Sequence, residues 1–236
     1  MSKPKLLLII PAHNEELNIG RTIDIVKKSN FDYIVIDDGS TDKTVDILNK
    51  NNANFISLSF NLGIGGAVQT GYKYARNNGY DIAIQFDADC QHDIDCVNQL
   101  IQPILDKKAN FVIGSRFISK DTSKFKSSYL RRIGIRLISN IIFLFSKKRI
   151  YDTTSGFRAA DKSTINYFAE HYPQEYPEPV SDYELIKQGY IVTEIPARMH
   201  ERTAGKSSIH SWKSAYYVIN VILSIIALSL RKKHHE

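Results

Sequence analysis

Short apolar runs alternate with longer amphipathic segments through the first half of the chain. The runs have the length of single strands and predict buried β-strands at residues 6–10, 33–36, 55–58, 82–86 and 111–113. Between them, apolar residues recur about every 3.6 positions, which predicts helices, as at Leu17, Ile19, Ile23 and Val26 and at Val97, Leu100, Ile101, Ile104 and Leu105. Strands that alternate with helices predict an α/β domain, with a mostly parallel sheet and helices on both faces.

Polar clusters follow three of the predicted strands. Residues 11–15 follow the first strand, residues 37–40 follow the second, and residues 87–92 follow the fourth. The carboxyl ends of parallel strands meet at one edge of a sheet, and ligands of such sheets bind there. The three clusters therefore predict a single ligand site.

Two carboxylates stand one residue apart at the end of the fourth predicted strand. Residues i and i+2 of an extended segment point to the same side, so Asp87 and Asp89 would place like charges together. Such charges are costly to bury unless a cation neutralises them. A divalent cation with oxygen ligands fits, and it usually keeps positions open for a substrate phosphate. A solvated turn would explain one aspartate, but less readily two followed by Gln91 and His92.

A glycine-rich stretch at residues 61–67 follows the third predicted strand. Its spacing is not that of a dinucleotide-binding loop in a first βαβ unit. The glycines would let the backbone approach a ligand closely, or they would form a plain turn. Both interpretations stay open at this point.

The strand–helix alternation is predicted to stop after residue 119. Residues 120–128 are polar and basic, which predicts a mobile loop. Residues 129–149 predict a basic amphipathic helix that faces a membrane, with apolar Ile133, Leu137, Ile138, Ile141, Leu144 and Phe145 beside Arg131, Arg132, Arg136 and the cations of 147–149. Residues 214–230 carry no charge but are too short and polar for a spanning helix. They predict an interfacial helix, or alternatively one packed on the domain or on a partner subunit.

The charge distribution favours an anionic surface as partner. The chain has 236 residues and a formal net charge of +6, and residues 107–149 contain twelve lysines and arginines but one acid, Asp121. No helix-turn-helix, zinc-finger or RNA-recognition signature is present, so we expect a membrane surface rather than nucleic acid. The two cysteines form no disulfide framework, and the first apolar run is too short for a signal peptide. These features predict a cytosolic protein with reduced thiols.

Seven motifs, in order from about residue 6 to 210, resemble those of family 2 inverting glycosyltransferases with the GT-A fold. The likeness is greatest to the dolichol-phosphate mannose synthase group and its bacterial polyprenyl-phosphate relatives. Each motif alone is unspecific, but the ordered series is specific. The motifs are Pro11-Ala12-His13-Asn14-Glu15, Asp37-Asp38-Gly39-Ser40, Gly63 to Gly66, Asp87-Ala88-Asp89-Cys90-Gln91-His92, Gly114-Ser115-Arg116, Thr154-Ser155-Gly156-Phe157-Arg158 and Glu201-Arg202 to Ser208.

The resemblance implies a UDP-, GDP- or dTDP-sugar donor and a Mg²⁺ or Mn²⁺ ion. The implied contacts to the donor nucleotide are Pro11, Asn14, Glu15, Asp37, Asp38, Gly65, Asp87 and Ala88. The implied metal ligands are Asp87, Asp89 and Gln91, and Arg202 and Lys206 would bind the diphosphate. Asp89 and Arg202 would also be catalytic. Alternatively, Asp38 and Ser40 would cap the helix that begins near Thr44.

The acceptor decides whether a general base is needed. A lipid phosphate is already anionic and needs only cations, which Arg116, Arg131 and Arg132 would supply. A sugar hydroxyl, as in the synthesis of a surface polysaccharide, would need a base within hydrogen-bond reach. Glu178 or Asp182 would then take that role, although the prolines around them also allow a purely structural one. We expect polyprenyl phosphate to be the acceptor.

The expected organisation is a GT-A catalytic domain at residues 1–210 and a membrane-associating helix at residues 211–236. The protein would lie peripherally at the cytosolic face of the cell membrane, with a membrane protein as a possible partner. A non-catalytic membrane-docking protein that retains a nucleotide pocket is a second class of function. A metal-dependent nucleotidyltransferase is disfavoured, because no phosphate-cradling glycine loop opens the first helix.

Overall fold

Strand β1 (Leu6–Ala12) is apolar on both faces and lies in the interior of a sheet. Leu7 and Ile9 face one layer of helices, Leu8 and Ile10 face the other, and all four are fully buried. A strand that is covered on both faces has a continuous apolar sequence, because no side chain points to solvent. This is why the first run of the sequence contains no polar position.

The computed structural model describes residues 3–118, 129–199 and 211–231, apart from the side chains of residues 129–131 and 211–214. The strands that follow β1 in these ranges are β2 (Asp32–Asp37), β3 (Phe55–Ser57), β4 (Ile82–Gln85), β5 (Phe111–Ser115), β6 (Arg158–Asp161) and β7 (Val192–Pro196). The helices are α1 (Ile19–Lys28), α2 (Thr44–Lys50), α3 (Gly63–Asn77), α4 (Val97–Leu105), α5 (Tyr129–Ser146), α6 (Lys162–His171), α7 (Pro177–Gln188) and α8 (Ser211–Leu230).

The strands form one sheet in the order β3-β2-β1-β4-β6-β5-β7. All pairs are parallel except those of β6, which runs antiparallel to both β4 and β5. The beginning of β6 therefore lies beside the end of β4, where Arg158 pairs with Gln85. Because of this reversal, the residues just before β6 reach the edge at which the parallel strands end.

Helices cover both faces of the sheet. Within the described residues, α1, α2 and α4 contribute side chains to one apolar layer, and α3 and α5 to α8 contribute to the other. The predicted α/β class with a mostly parallel sheet is confirmed. The five predicted strands correspond to β1–β5.

The prediction that the alternation stops after residue 119 is wrong. Strand β6, helices α6 and α7 and strand β7 continue it. Strand β6 has the sequence Arg-Ala-Ala-Asp, so it lacks the run of large apolar residues that marked the other central strands. The predicted mobile loop at residues 120–128 lies outside the described residues.

Helix α5 ends at Ser146, before the predicted end at residue 149. It buries Ile135, Ile138 and Ile142, although Ile138 had been expected on the membrane-facing side. A second apolar stripe points outward and consists of Ile133, Leu137 and Leu144, which are 45%, 44% and 57% exposed. The prediction thus assigned to one face apolar residues that lie on two opposite faces of the helix.

Helix α8 packs against α5 and α7. The alternative prediction, a helix packed on the domain, therefore applies to one of its faces. Val221 and Ile225 are fully buried, whereas Ile219 and Leu223 on the opposite face are more than half exposed. No helix within the described ranges is both long enough and apolar enough to cross a membrane.

Candidate active site

The loops that follow β1, β2 and β3 are tied together at the carboxyl edge of the sheet. The backbone N–H of Asn14 donates to Ser40 Oγ at 2.9 Å, and Asn14 has a φ of 54°, which asparagine tolerates better than most residues. His13 Nδ1 lies 2.8 Å from the carbonyl oxygen of Asp38, and its Nε2 lies 3.1 Å from Asn61 Nδ2. The predicted donor loop is therefore held by neighbouring loops.

Two predicted donor contacts, Asp37 and Asp38, are buried with partners inside the protein. Asp37 is 0% exposed, and its Oδ2 accepts from Ser57 Oγ at 2.6 Å. Asp38 Oδ1 accepts from the backbone N–H of Leu62 at 2.7 Å. In this arrangement both carboxylates fix loops inside the protein.

The other predicted nucleotide contacts differ in accessibility. Pro11 and Ala88 are buried, and Glu15 is half-buried with its Oε2 accepting from Asn18 Nδ2 at 2.8 Å. The capping role expected for Ser40 is wrong, because its hydroxyl accepts from Asn14.

The glycine stretch is the first turn of α3 rather than a ligand loop. Gly65 is buried, and a Cβ there would collide with the backbone oxygen of Gln174. A Cβ on Gly66 would collide with Leu62 in the same way. The lack of side chains thus permits close packing of the protein on itself, and the predicted contact of Gly65 with the donor has no support in this geometry.

Asp87 emerges just beyond β4 and is the more accessible member of the acidic pair. Its side chain is 33% exposed, whereas Asp89 is 9% exposed. Gln85 Nε2 donates to Asp87 Oδ1 at 3.3 Å. The backbone N–H of Asp87 donates to His92 Nδ1 at 3.0 Å, and His92 Nε2 lies 3.5 Å from Asp87 Oδ2. Asp89 Oδ1 accepts from the backbone N–H of Gln91 at 3.1 Å.

His92 is buried against Phe86 and Phe157, with ring centroids 5.5 Å and 4.9 Å away. Burial lowers the pKa of His92 to about 4; the Asp89 charge opposes this change and the Arg116 charge adds to it. The ring is therefore neutral at neutral pH and leaves the negative charge of the acidic pair intact.

The donor set of the acidic pair fits a hard divalent cation. Asp87, Asp89 and Gln91 supply carboxylate and amide oxygens, which Mg²⁺ and Mn²⁺ accept. Within the described part of the chain, no group of three or more His, Cys, Asp or Glu side chains is arranged to hold a metal ion. This small set suits an ion that takes further ligands from a substrate diphosphate and from water.

Arg116 is bound to an acidic partner. Its Nε donates to Asp152 Oδ2 at 2.8 Å and its Nη2 to Asp152 Oδ1 at 2.6 Å, while Nη2 also donates to Thr154 Oγ1 at 2.9 Å. Asp152 is fully buried, and Glu194 accepts from its backbone N–H at 2.8 Å. The predicted binding of an acceptor phosphate by Arg116 stays a prediction; this residue is 5% exposed, and its guanidinium already neutralises a buried carboxylate.

The two predicted bases stand in different surroundings. Asp182 is 0% exposed and lies 3.1 Å from Arg158 Nη1, so an acceptor hydroxyl has no access to it. Its predicted role as a base is therefore not compatible with this geometry. Glu178 is half-buried at the first turn of α7; burial raises the pKa of Glu178, and the negative charge of Asp87 adds to that rise. Unlike Asp182, Glu178 remains partly exposed.

Three predicted phosphate-binding residues cannot be compared with the geometry. Arg202 and Lys206 lie outside the described residues, and so does the side chain of Arg131. Arg132 is exposed on α5.

Sequence reasoning assigned no role to several residues that shape this site. Gln85 could have been noticed as the polar residue of an otherwise apolar strand, and His92 and Gly156 stood within recognised motifs. Asp152 carried no signal, because its partner Arg116 is 36 positions away.

Comparisons with known proteins identify a family and several relatives. The family model described as "Glycosyl transferase family 2" matches residues 7–169. A UDP-N-acetylglucosamine–dolichyl-phosphate N-acetylglucosaminyltransferase of Methanococcus voltae is 35% identical over 219 residues, which cover 84% of this chain and 86% of the relative. An undecaprenyl-phosphate mannosyltransferase of Micrococcus luteus is 26% identical over 236 residues, which cover 92% of each protein.

A solved structure has the same fold. The glucosyl-3-phosphoglycerate synthase of Mycobacterium tuberculosis, crystallised with Mn²⁺, UDP-glucose and phosphoglyceric acid, superposes with a TM-score of 0.70. It is 16% identical, and the match covers 98% of this chain and 81% of that chain. The predicted GT-A fold is confirmed.

Proposed function

The chain belongs to glycosyl transferase family 2, and we propose that it transfers a sugar from a nucleotide diphosphate to a polyprenyl phosphate. The observation that carries the proposal is the partly exposed Asp87 beside Asp89 at the carboxyl edge of the sheet. Relatives that match most of the chain are named for transfer to dolichyl or undecaprenyl phosphate. The site and these relatives support the same reaction class.

The proposed chemistry is a single displacement. An oxygen of the acceptor phosphate attacks the anomeric carbon, the bond from that carbon to the donor diphosphate breaks, and the configuration inverts. A bound divalent cation would neutralise the charge that develops on the departing diphosphate. Asp87, Asp89 and Gln91 would hold this cation, and their carboxylate and amide oxygens are chemically suited to it.

The absence of an accessible base at Asp182 favours a phosphate acceptor. Such an acceptor loses no proton on attack, so the burial of Asp182 against Arg158 has no catalytic cost. Glu178 is only half-buried and keeps the sugar-hydroxyl alternative open. A sugar-hydroxyl acceptor would thus require Glu178 as a general base, whereas a phosphate acceptor would not.

Arg116, together with arginines of α5, would bind the acceptor phosphate. Asp152 and Thr154 fix the guanidinium of Arg116. Because the side chain is already fixed, it would lose less conformational entropy on binding phosphate than a mobile side chain would. Arg132 on α5 and its neighbour Arg131 would complete the set.

The donor is proposed to be UDP-N-acetylglucosamine. This proposal comes from the Methanococcus voltae relative, whose name specifies that donor and whose identity to this chain is 35%.

Peripheral association with a membrane would bring the enzyme to its lipid acceptor. Helices α5 and α8 each expose an apolar stripe opposite the stripe that they bury. Arg132 and Arg136 are exposed on α5, which suits the anionic headgroups of a bilayer surface.

A panel of nucleotide sugars tests the proposal. Purified protein is incubated with Mn²⁺, a short polyprenyl phosphate and UDP-, GDP- or dTDP-sugars. The molecular mass of the lipid product is then determined by mass spectrometry. We expect one donor to give a glycosylated polyprenyl phosphate and Asp89→Asn to slow its formation about a hundredfold or more. Product from no donor, or full activity of Asp89→Asn, would contradict the proposal.

A further inference from the structure

The carboxylate of Asp87 is enclosed on the side that faces the protein. Gln85 Nε2 donates to Oδ1 at 3.3 Å, and His92 Nε2 lies 3.5 Å from Oδ2. Gly156, from the segment that leads into β6, packs against the same group. A Cβ on Gly156 would stand 2.5 Å from Oδ2 and 3.0 Å from Oδ1 of Asp87.

The hydrogen bonds of His92 define which ring nitrogen carries the proton. Nδ1 accepts from the backbone N–H of Asp87 at 3.0 Å, so its lone pair is used and the ring hydrogen lies on Nε2. Nε2 lies 3.5 Å from Oδ2 of the same aspartate, so its N–H is within reach of that carboxylate. His92 thus holds Asp87 at two points, its backbone N–H and its carboxylate.

We propose that His92 and Gly156 are positioning residues for Asp87: His92 orients the carboxylate through Nε2–H, and Gly156 leaves room for it. The inference rests on the proposed function, in which Asp87 and Asp89 hold a divalent cation with the donor diphosphate. Neither residue touches the substrate. Hydrogen-bond partners of ligating carboxylates commonly change metal affinity about 10–100-fold.

Two substitutions of His92 separate orientation from packing. His92→Phe keeps an aromatic ring between Phe86 and Phe157 but removes both nitrogens. His92→Gln loses the ring but retains an amide N–H that can reach Asp87. A packing role predicts that phenylalanine is tolerated better, whereas orientation predicts that glutamine is tolerated better.

The test is binding of Mn²⁺ in the presence of UDP or GDP, measured from the loss of the free Mn²⁺ signal in electron paramagnetic resonance. We expect His92→Phe and Gly156→Ala to weaken Mn²⁺ binding about tenfold or more, and His92→Gln to weaken it less than His92→Phe. Gly20→Ala is the matched control, because its Cβ would meet only Ile47 Cγ2 at 3.5 Å. Thermal unfolding is followed for every variant, and the two His92 variants decide the matter if Gly156→Ala does not fold.

The outcomes distinguish this inference from the proposed function. If the unmodified protein binds Mn²⁺ with UDP or GDP and both His92→Phe and Gly156→Ala bind it equally well, the inference is overturned and the proposed function stands. If the unmodified protein binds no Mn²⁺ with either nucleotide, both are overturned. Stronger binding by His92→Phe than by His92→Gln would show that His92 acts by packing, which overturns the orientation role.

Discussion

Arg158 is the largest side chain that the described residues bury completely. Its Nη1 donates to the carbonyl oxygen of Glu178 and to Ser181 Oγ, both at 2.9 Å, and it pairs with Asp182 at 3.1 Å. Burial lowers the pKa of Arg158, but the charges of Asp182 and Glu178, together with Tyr172 and Tyr72, raise it overall. One residue of β6 thus fixes the first turn of α7, which carries Glu178.

Removal of the Arg158 charge should therefore destabilise the fold. Arg158→Met leaves the Asp182 carboxylate buried without its cation, and we expect a loss of about 3–5 kcal/mol in the free energy of unfolding. Urea denaturation followed by circular dichroism measures it. Arg76→Met is the control, because Arg76 pairs with Glu170 at the surface, where such pairs contribute about 0–1 kcal/mol. Equal losses in the two variants would refute the structural role of Arg158.

At the scale of elements, α5 and α8 act as one packed pair with two outward apolar stripes. Gly134 of α5 allows the close approach, since a Cβ there would lie 2.9 Å from Val218 Cγ2 of α8. The pair is fastened to the domain through buried side chains such as Ile138 and Val221. The exposed stripes are therefore held rigidly on the catalytic domain, as a membrane-binding surface would require.

Charges placed in the α5 stripe should weaken membrane binding. We expect the pair Leu137→Glu and Leu144→Glu to reduce binding to vesicles of anionic phospholipid about tenfold or more, because two apolar side chains no longer enter the bilayer. Co-sedimentation with vesicles measures the bound fraction. Leu105→Glu is the control, since Leu105 is 42% exposed on α4, which covers the other face of the sheet. A similar effect of all these changes would argue against a membrane-binding stripe.

At the scale of the whole molecule, the sequence predicted the elements whose signal is local. The strands from β1 to β5 stood out because each is a continuous apolar run, and the acidic pair stood out because two carboxylates follow one strand. Strand β6 was missed because alanines fill its interior, and its reversed direction depends on pairing with β4 and β5. The enclosure of Asp182 could not be predicted either, since it depends on Arg158, 24 positions away.

The central claim, that the acceptor is a polyprenyl phosphate, is tested most directly by two matched acceptors. The protein is given Mn²⁺, its sugar donor and either a polyprenyl phosphate or the free polyprenol of the same length, and each lipid product is quantified by mass spectrometry. We predict transfer only to the phosphate, with Glu178→Gln slowing it by less than about tenfold, because no proton needs to be removed. Transfer to the free alcohol, or a loss of about a hundredfold or more in Glu178→Gln, would contradict the account.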